Sequence, residues 1–237
     1  VSVASIAGLA QAGPIKGGTL TVGLETDVRG FDTVKGGVYG VSGRTVAGAL
    51  EEPLIIYTPD LKYAPHLATS WTNSSDGKTW TMKLRQGVKF HDGSDFEASD
   101  VAKHLNRILD PKNKSRSRGF ITAIKNAEVV DSHTVRFNLV HPWQGFLPAM
   151  AGRDMGSLIE SPEQTVAGKQ NRNPIGTGPY IFQEWRGGDR IIVTKNPNYW
   201  DKDKIHLDKI IYRILPDPQT RYQSLKAGDV DLIWTDR

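Results

Sequence analysis

Six histidines are the first residues of this 237-residue chain that could do chemistry. His91 sits in a His91-Asp92-Gly93 triplet, a grouping that in isolation suits a metal ligand or a general base. A strand-ending turn at the glycine is the other reading. His66, His104, His133, His141 and His206 show no HExxH or other spacing that brings imidazoles to one ion. Gly176-Thr177-Gly178 lacks the Lys-Ser/Thr of a phosphate loop and runs into Pro179, which makes it a tight turn. No G-x-S-x-G elbow occurs. The chain has no cysteine, which removes disulfides, thiolate nucleophiles and Cys-based zinc sites. Paired carboxylates for glycoside cleavage stay open, because any two acids can meet in space.

Recognition chemistry has better candidates. Gly36, Gly37, Val38 and Tyr39 offer a backbone edge that an extended ligand can approach and pair with through N–H and C=O groups; the other reading is a flexible turn before a helix. Glu25 and Asp27, just past the first strand, present carboxylates to a ligand ammonium or to water. Trp143, between Pro142 and Phe146, suits a pocket floor or the core. No catalytic residue, metal site or cofactor site is expected from these residues.

The elements that must position these residues follow from periodicity. Residues 19–23 alternate as a strand, with Leu20 and Val22 on one face. Ser42 as a cap predicts a helix over 43–52, closed by Pro53, and 54–57 reads as a short buried strand. Trp80, Met82 and Leu84 alternate with polar neighbours, as do Val135, Phe137 and Leu139, which predicts two half-buried antiparallel strands. Between them Val101, Leu105 and Ile108 recur at helical spacing, with Asp100 at the positive end of the helix dipole and Asp110-Pro111 as the stop. Strands return over 180–185, 191–194 and 210–215. Asp217 and Pro218 then predict the cap and first position of a helix that Gly228 ends, and 230–234 reads as a last strand. A domain seldom stops on a buried strand, so the sequence is expected to be part of a longer one.

Hydrophobic residues at 38% and charged residues at 24% describe a globular protein. The net charge of +4 is spread among 26 acidic residues, so no field of one sign follows. Lys112, Lys114, Arg116 and Arg118 lie among Asn and Ser without an aromatic platform, so they read as a solvated loop and no nucleic-acid partner is expected. Residues 1–12, VSVASIAGLAQA, are uncharged and end in an A-x-A pattern, which predicts a signal-peptide remnant cleaved near Ala12 and a periplasmic protein. No later stretch reaches the ~18 continuous apolar residues of a membrane span.

The run LATSWTNSSDGKTWTMKLRQGVKFHDG at 67–93 continues into FEASDVAKHLNRILDP, and later come NPIGTGPY at 173–180, NPNYW at 196–200 and GDVDL at 228–232. Together these resemble the extracellular solute-binding proteins of family 5, the dipeptide, oligopeptide and nickel binders of bacterial ABC importers. The resemblance implies an α/β periplasmic-binding-protein-like (class II) fold, with a mixed sheet flanked by helices and a smaller inserted α+β domain. Domain I would comprise 17–52 and 174–237, the inserted domain II 53–173, and a second lobe would lie outside this sequence. It also implies a monomer that captures a peptide or similar small solute and delivers it to ABC permease subunits. Gly36 to Tyr39 match a segment that lines the cleft, and Arg118 and Phe120 match a loop that reaches it, one as a fork for a carboxylate and one as apolar cover. Glu97 stands where such proteins often place a Thr or Asn cap, which predicts a weaker helix start. Opines, sugars, nickel chelates and haem stay open as cargo, as does a chemoreceptor partner.

Overall fold

Two sheets, each with its own apolar core, account for most of the chain. The computed structural model describes residues 15–36, 38–152 and 157–234, so the expected remnant at 1–12 lies outside the described residues, as does Gly37. Strand β1 (Thr19–Leu24) buries Val22 and Leu24, and helix α1 (Val41–Leu50) follows it after a long loop. The helix starts earlier than its sequence suggests. Gly40, at φ 102°, occupies the cap position, and Ser42 is buried inside the first turn, where its hydroxyl accepts a hydrogen bond from Thr26. Only glycine adopts that dihedral without a Cβ clash, so the backbone outranks the hydroxyl in setting the start.

The chain then builds a second sheet. β2 (Ile55–Tyr57) and β3 (Tyr63–Pro65) pair as a short hairpin. β4 (Ala68–Asn73), β5 (Thr79–Leu84), β6 (Ile124–Asp131) and β7 (Thr134–Leu139) form an antiparallel sheet in the order β4-β5-β7-β6. Helix α2 (Ala98–Leu109) lies on it, placing Val101, Leu105 and Ile108 in one core with Met82, Val135 and Phe137. At its start Asp100 accepts the Glu97 N–H at 2.8 Å, so the acid on the third residue takes over part of the capping task, and the missing Thr or Asn leaves that end satisfied. Two short helices, α3 (Phe146–Ala151) and α4 (Pro162–Val166), lead back to the first sheet.

β8 (Tyr180–Arg186), β9 (Arg190–Lys195) and β10 (Lys209–Ile214) return beside β1, and α5 (Pro218–Ala227) precedes the two-residue β11 (Leu232–Ile233). The sheet order is β11-β1-β10-β9-β8, with β1 parallel to both neighbours and the other pairs antiparallel. This is the mixed α/β architecture that the family resemblance implies. Asp217 and Gly228 take the roles read from their types: the Asp217 carboxylate accepts the Thr220 N–H at 2.7 Å, and Gly228 turns left-handed at φ 79°. Where α1 meets the segment that enters β8, backbones touch. A Cβ at Gly176 would stand 2.3 Å from the Leu50 carbonyl oxygen, and one at Gly178 would stand 2.5 Å from the Leu50 carbonyl carbon. Among the described residues no helix is long and apolar enough to cross a membrane.

Candidate functional site

The loop between β1 and α1 carries most of the sequence-predicted binding residues, and the structure shows what holds each. Glu25 is half-buried at the exit of β1. Asp27 is engaged by the fold: its carboxylate accepts the Trp185 indole N–H at 3.0 Å, the Gly188 N–H at 2.8 Å and its neighbour's N–H at 2.8 Å. Those bonds tie the loop to the β8–β9 turn. Farther on, Gly30 passes so close to Asn171 that a Cβ would fall 1.9 Å from the side-chain oxygen, and φ there is +144°, so glycine is required twice over.

An ionic junction fixes the middle of the loop. Arg107, on the last turn of α2, forks onto Asp32 with Nη1–Oδ1 of 3.0 Å and Nη2–Oδ2 of 2.7 Å, and Nη1 also reaches Glu160 Oε1 at 2.5 Å. The other Glu160 oxygen accepts both the N–H and the hydroxyl of Thr33. Burial pushes the Asp32 pKa up, but the Arg107 guanidinium and the Lys35 N–H outweigh it and leave the carboxyl below its ordinary range. Nothing local in the sequence marks this junction, since Arg107 meets partners 75 and 53 residues away.

Above the junction opens a cavity of about 460 Å³, lined by Arg29, Asp32, Lys35, Gly36, Arg107 and Arg116 together with residues 165, 168, 170 and 171. That volume lies within the range of about 300–1,000 Å³ for small-molecule sites. Gly36 is therefore at the rim, at φ +82°. Val38 is buried against Ala47 and Leu158, so its side chain belongs to a small core and only its backbone is available. Tyr39 is half-buried, hydrogen-bonds Ser117 at 3.1 Å and lies under the Arg116 guanidinium at 5.6 Å. These contacts join the glycine-rich loop to the loop 115–120. Arg118 donates Nε to the Leu109 carbonyl at 2.9 Å, and Phe120 is 53% exposed. Trp143 packs half-buried against the core of the second sheet, with its indole 2.5 Å from where a Gly145 Cβ would sit, and does not line the cavity.

Other chemistry-bearing side chains hold the two sheets together. Gly176 donates its N–H to His91 Nδ1 at 3.3 Å, so the proton lies on Nε2, which donates to the Gly178 carbonyl at 3.1 Å. Burial lowers the His91 pKa, which matches that neutral tautomer. Glu52 accepts from Tyr199 at 2.5 Å, Thr177 at 2.8 Å and Trp200 at 3.2 Å, with His66 Nε2 at 2.8 Å. Among the described residues no three His, Asp or Glu side chains gather as a metal set. Sequence reasoning overlooked Arg29, Asp32, Lys35, Arg107, Glu160 and Asn171. A basic or acidic residue in a loop carries no sign of whether it faces water or a cavity.

Residues 62–236 match the family model described as bacterial extracellular solute-binding proteins, family 5 Middle. The chain is 33% identical over 192 residues to the nickel-binding periplasmic protein of Escherichia coli K12, covering 77% of this chain and 35% of that protein. It is 35% identical over 192 residues to a glutathione-binding protein of Pectobacterium atrosepticum, covering 81% and 37%. The solved structure of the PBP AgaA in complex with agropinic acid, from A. tumefaciens R10, superposes with a TM-score of 0.83 at 37% identity, over 91% of this chain and 43% of that one. The chain thus spans 35% and 37% of the lengths of these two curated relatives. A mixed sheet with an open loop at the end of β1, a second sheet inserted between α1 and β8, and a family match over 62–236 lead to one assignment: the chain belongs to the bacterial extracellular solute-binding proteins of family 5.

Proposed function

We propose that this chain forms one lobe of a two-lobed clamp that captures a peptide or similar small solute outside the cytoplasm and presents it to the permease of an ABC importer. The reading assigns 17–52 and 174–237 to one domain and 53–173 to an inserted one, consistent with the two sheets and their separate cores. It makes the protein a periplasmic monomer with no catalytic residue, exported by a signal peptide cleaved near Ala12. The observation that carries it is the open edge beside the loop 25–40. Among the described residues β11 pairs with β1 alone, and next to it Tyr222, Leu225, Leu232 and Trp234 expose apolar surface, as a face that a second lobe covers would. Ligand contacts to both lobes would favour the closed form, which the permease recognises.

Gly36, Tyr39, Arg118, Phe120 and Glu25 are the rim that this lobe offers. Gly37 falls to the same role by its place in the sequence, and Val38 through its backbone alone. The relatives named for glutathione, nickel and agropinic acid set the range of cargo to test. A thermal-shift screen of the full-length protein against di- to oligopeptides, opines, glutathione, sugars and nickel checks the reading, because a ligand at 100 times its Kd adds about 2.7 kcal/mol. Turnover of a peptide or glycan at catalytic rates would sink it.

A further inference from the structure

Helices usually rest on a sheet through an apolar stripe, and α5 does not. The one residue of α5 that the described chain buries is Arg221, 2% exposed, while Tyr222 and Leu225 beside it face outward. A buried cation is costly unless its N–H groups find acceptors, and here backbone carbonyls supply them. Nη1 donates to the Leu215 carbonyl at 2.7 Å and to the Pro216 carbonyl at 2.8 Å, and Nε donates to the Trp234 carbonyl at 3.1 Å. Those carbonyls stand at the exits of β10 and β11, the two strands that flank β1. On the other side of the same residues, the Leu215 N–H donates to the Leu24 carbonyl at 2.8 Å and the Trp234 N–H to the Gly23 carbonyl at 3.3 Å. Leu215 and Trp234 are thus each held to β1 by the amide and to Arg221 by the carbonyl. Packing there is close, since a Cβ on Gly23 would meet the Ile233 side chain at 3.1 Å and the Leu215 side chain at 3.4 Å. One guanidinium therefore joins the ends of three strands, and the middle one leads directly into the loop 25–40.

We infer that Arg221 is a positioning residue of the clamp: it locks the strand ends beneath the loop 25–40 into one rigid unit with α5, so that bending between the two lobes takes place outside the β10–α5–β11 unit. The inference rests on the two-lobed reading and adds to it which part does not move. A hinge is a few residues that absorb a large change in φ and ψ, and residues bonded on both the amide and the carbonyl side have little freedom to do so. Arginine suits the task because its planar fork carries several donors at fixed spacing and reaches two chain segments at once, whereas the ammonium of lysine is a single point.

The test is residue-resolved amide hydrogen exchange on the solute-free full-length protein, its Arg221→Lys and Arg221→Met variants and Lys226→Gln, a charge removed from the exposed side of the same helix, with small-angle scattering of each. In the parent, the Leu215 and Trp234 amides are expected to exchange as slowly as those inside β9. Both Arg221 variants should speed these two amides about tenfold, because losing hydrogen bonds from a charged donor lets the strand ends open locally. They should leave the amides of β5 and β7 unchanged and raise the radius of gyration as the clamp opens wider, and Lys226→Gln should do neither. Fast exchange at Leu215 and Trp234 in the parent overturns the lock, and this measurement decides even where a variant fails to fold. No change in the variants overturns it as well, as does a rise spread evenly over both sheets, which marks a general loss of stability. Faster exchange at the two amides with an unchanged scattering curve overturns the placing of the bend. A parent that scatters as one body without a cleft overturns the two-lobed reading and leaves the lock standing.

Discussion

Glu51 is fully enclosed where α1 ends, with one carboxyl oxygen accepting the Gln170 amide at 2.7 Å and the other without a partner. Burial, followed by the nearby charge of Glu160, raises its pKa well above the ordinary glutamate value. A group raised in the fold contributes its full stability below the unfolded pKa and loses it as pH rises toward the folded one. Glu51→Gln keeps an oxygen for Gln170 and removes the ionisation. The variant is therefore expected to melt higher than the parent at pH 7–8, by about 2–4 °C for each kcal/mol recovered, with the gain gone near pH 4. An equal shift at both pH values in scanning calorimetry would refute the assignment. Asp32 runs the other way: its carboxyl is depressed by Arg107, so its contribution is present above the ordinary aspartate value and is lost as pH falls through the folded one.

Glycines separate local from tertiary demands at the scale of elements. Gly228 ends α5 in the left-handed region with open space for 4 Å around the place a Cβ would take, so Gly228→Ala meets only the backbone penalty, about 1 kcal/mol. Gly176 has no positive φ, but its backbone lies against the carbonyl of Leu50. Gly176→Ala must push α1 away from the turn, and about 3 kcal/mol is expected, the upper end for overpacking. Urea midpoints at constant m-value distinguish the two. Equal losses would mean that the α1–turn contact yields easily.

At the scale of the whole molecule, the proposed two-lobed clamp predicts that one lobe by itself binds poorly. A clamp holding its solute at about 1 μM draws on about 8 kcal/mol, and half of that leaves Kd near about 1 mM. Titration calorimetry on this chain should accordingly report millimolar binding for a solute that the complete clamp holds at micromolar strength. Micromolar binding to this chain alone would mean that its own cavity does the recognition, and would move the functional centre away from the open β11 edge.

Strands 79–84 and 134–139 and the α5 caps were legible because each depends on neighbours a few residues away: alternation, a cap carboxylate, a glycine. β4 and β6 were not legible, since their polar and exposed residues carry little alternation and their pairing comes from β5 and β7. The long family motifs identified the fold from sequence alone, because a shared fold preserves local patterns in order. Which side chains surround the candidate site depended on tertiary structure alone. Whether Asp27 meets a ligand or the β8–β9 turn, and whether Arg107, Asp32 and Glu160 meet at all, depends on contacts between distant segments. Charge in a loop has no period, so only folding gives it a partner or leaves it facing a cavity.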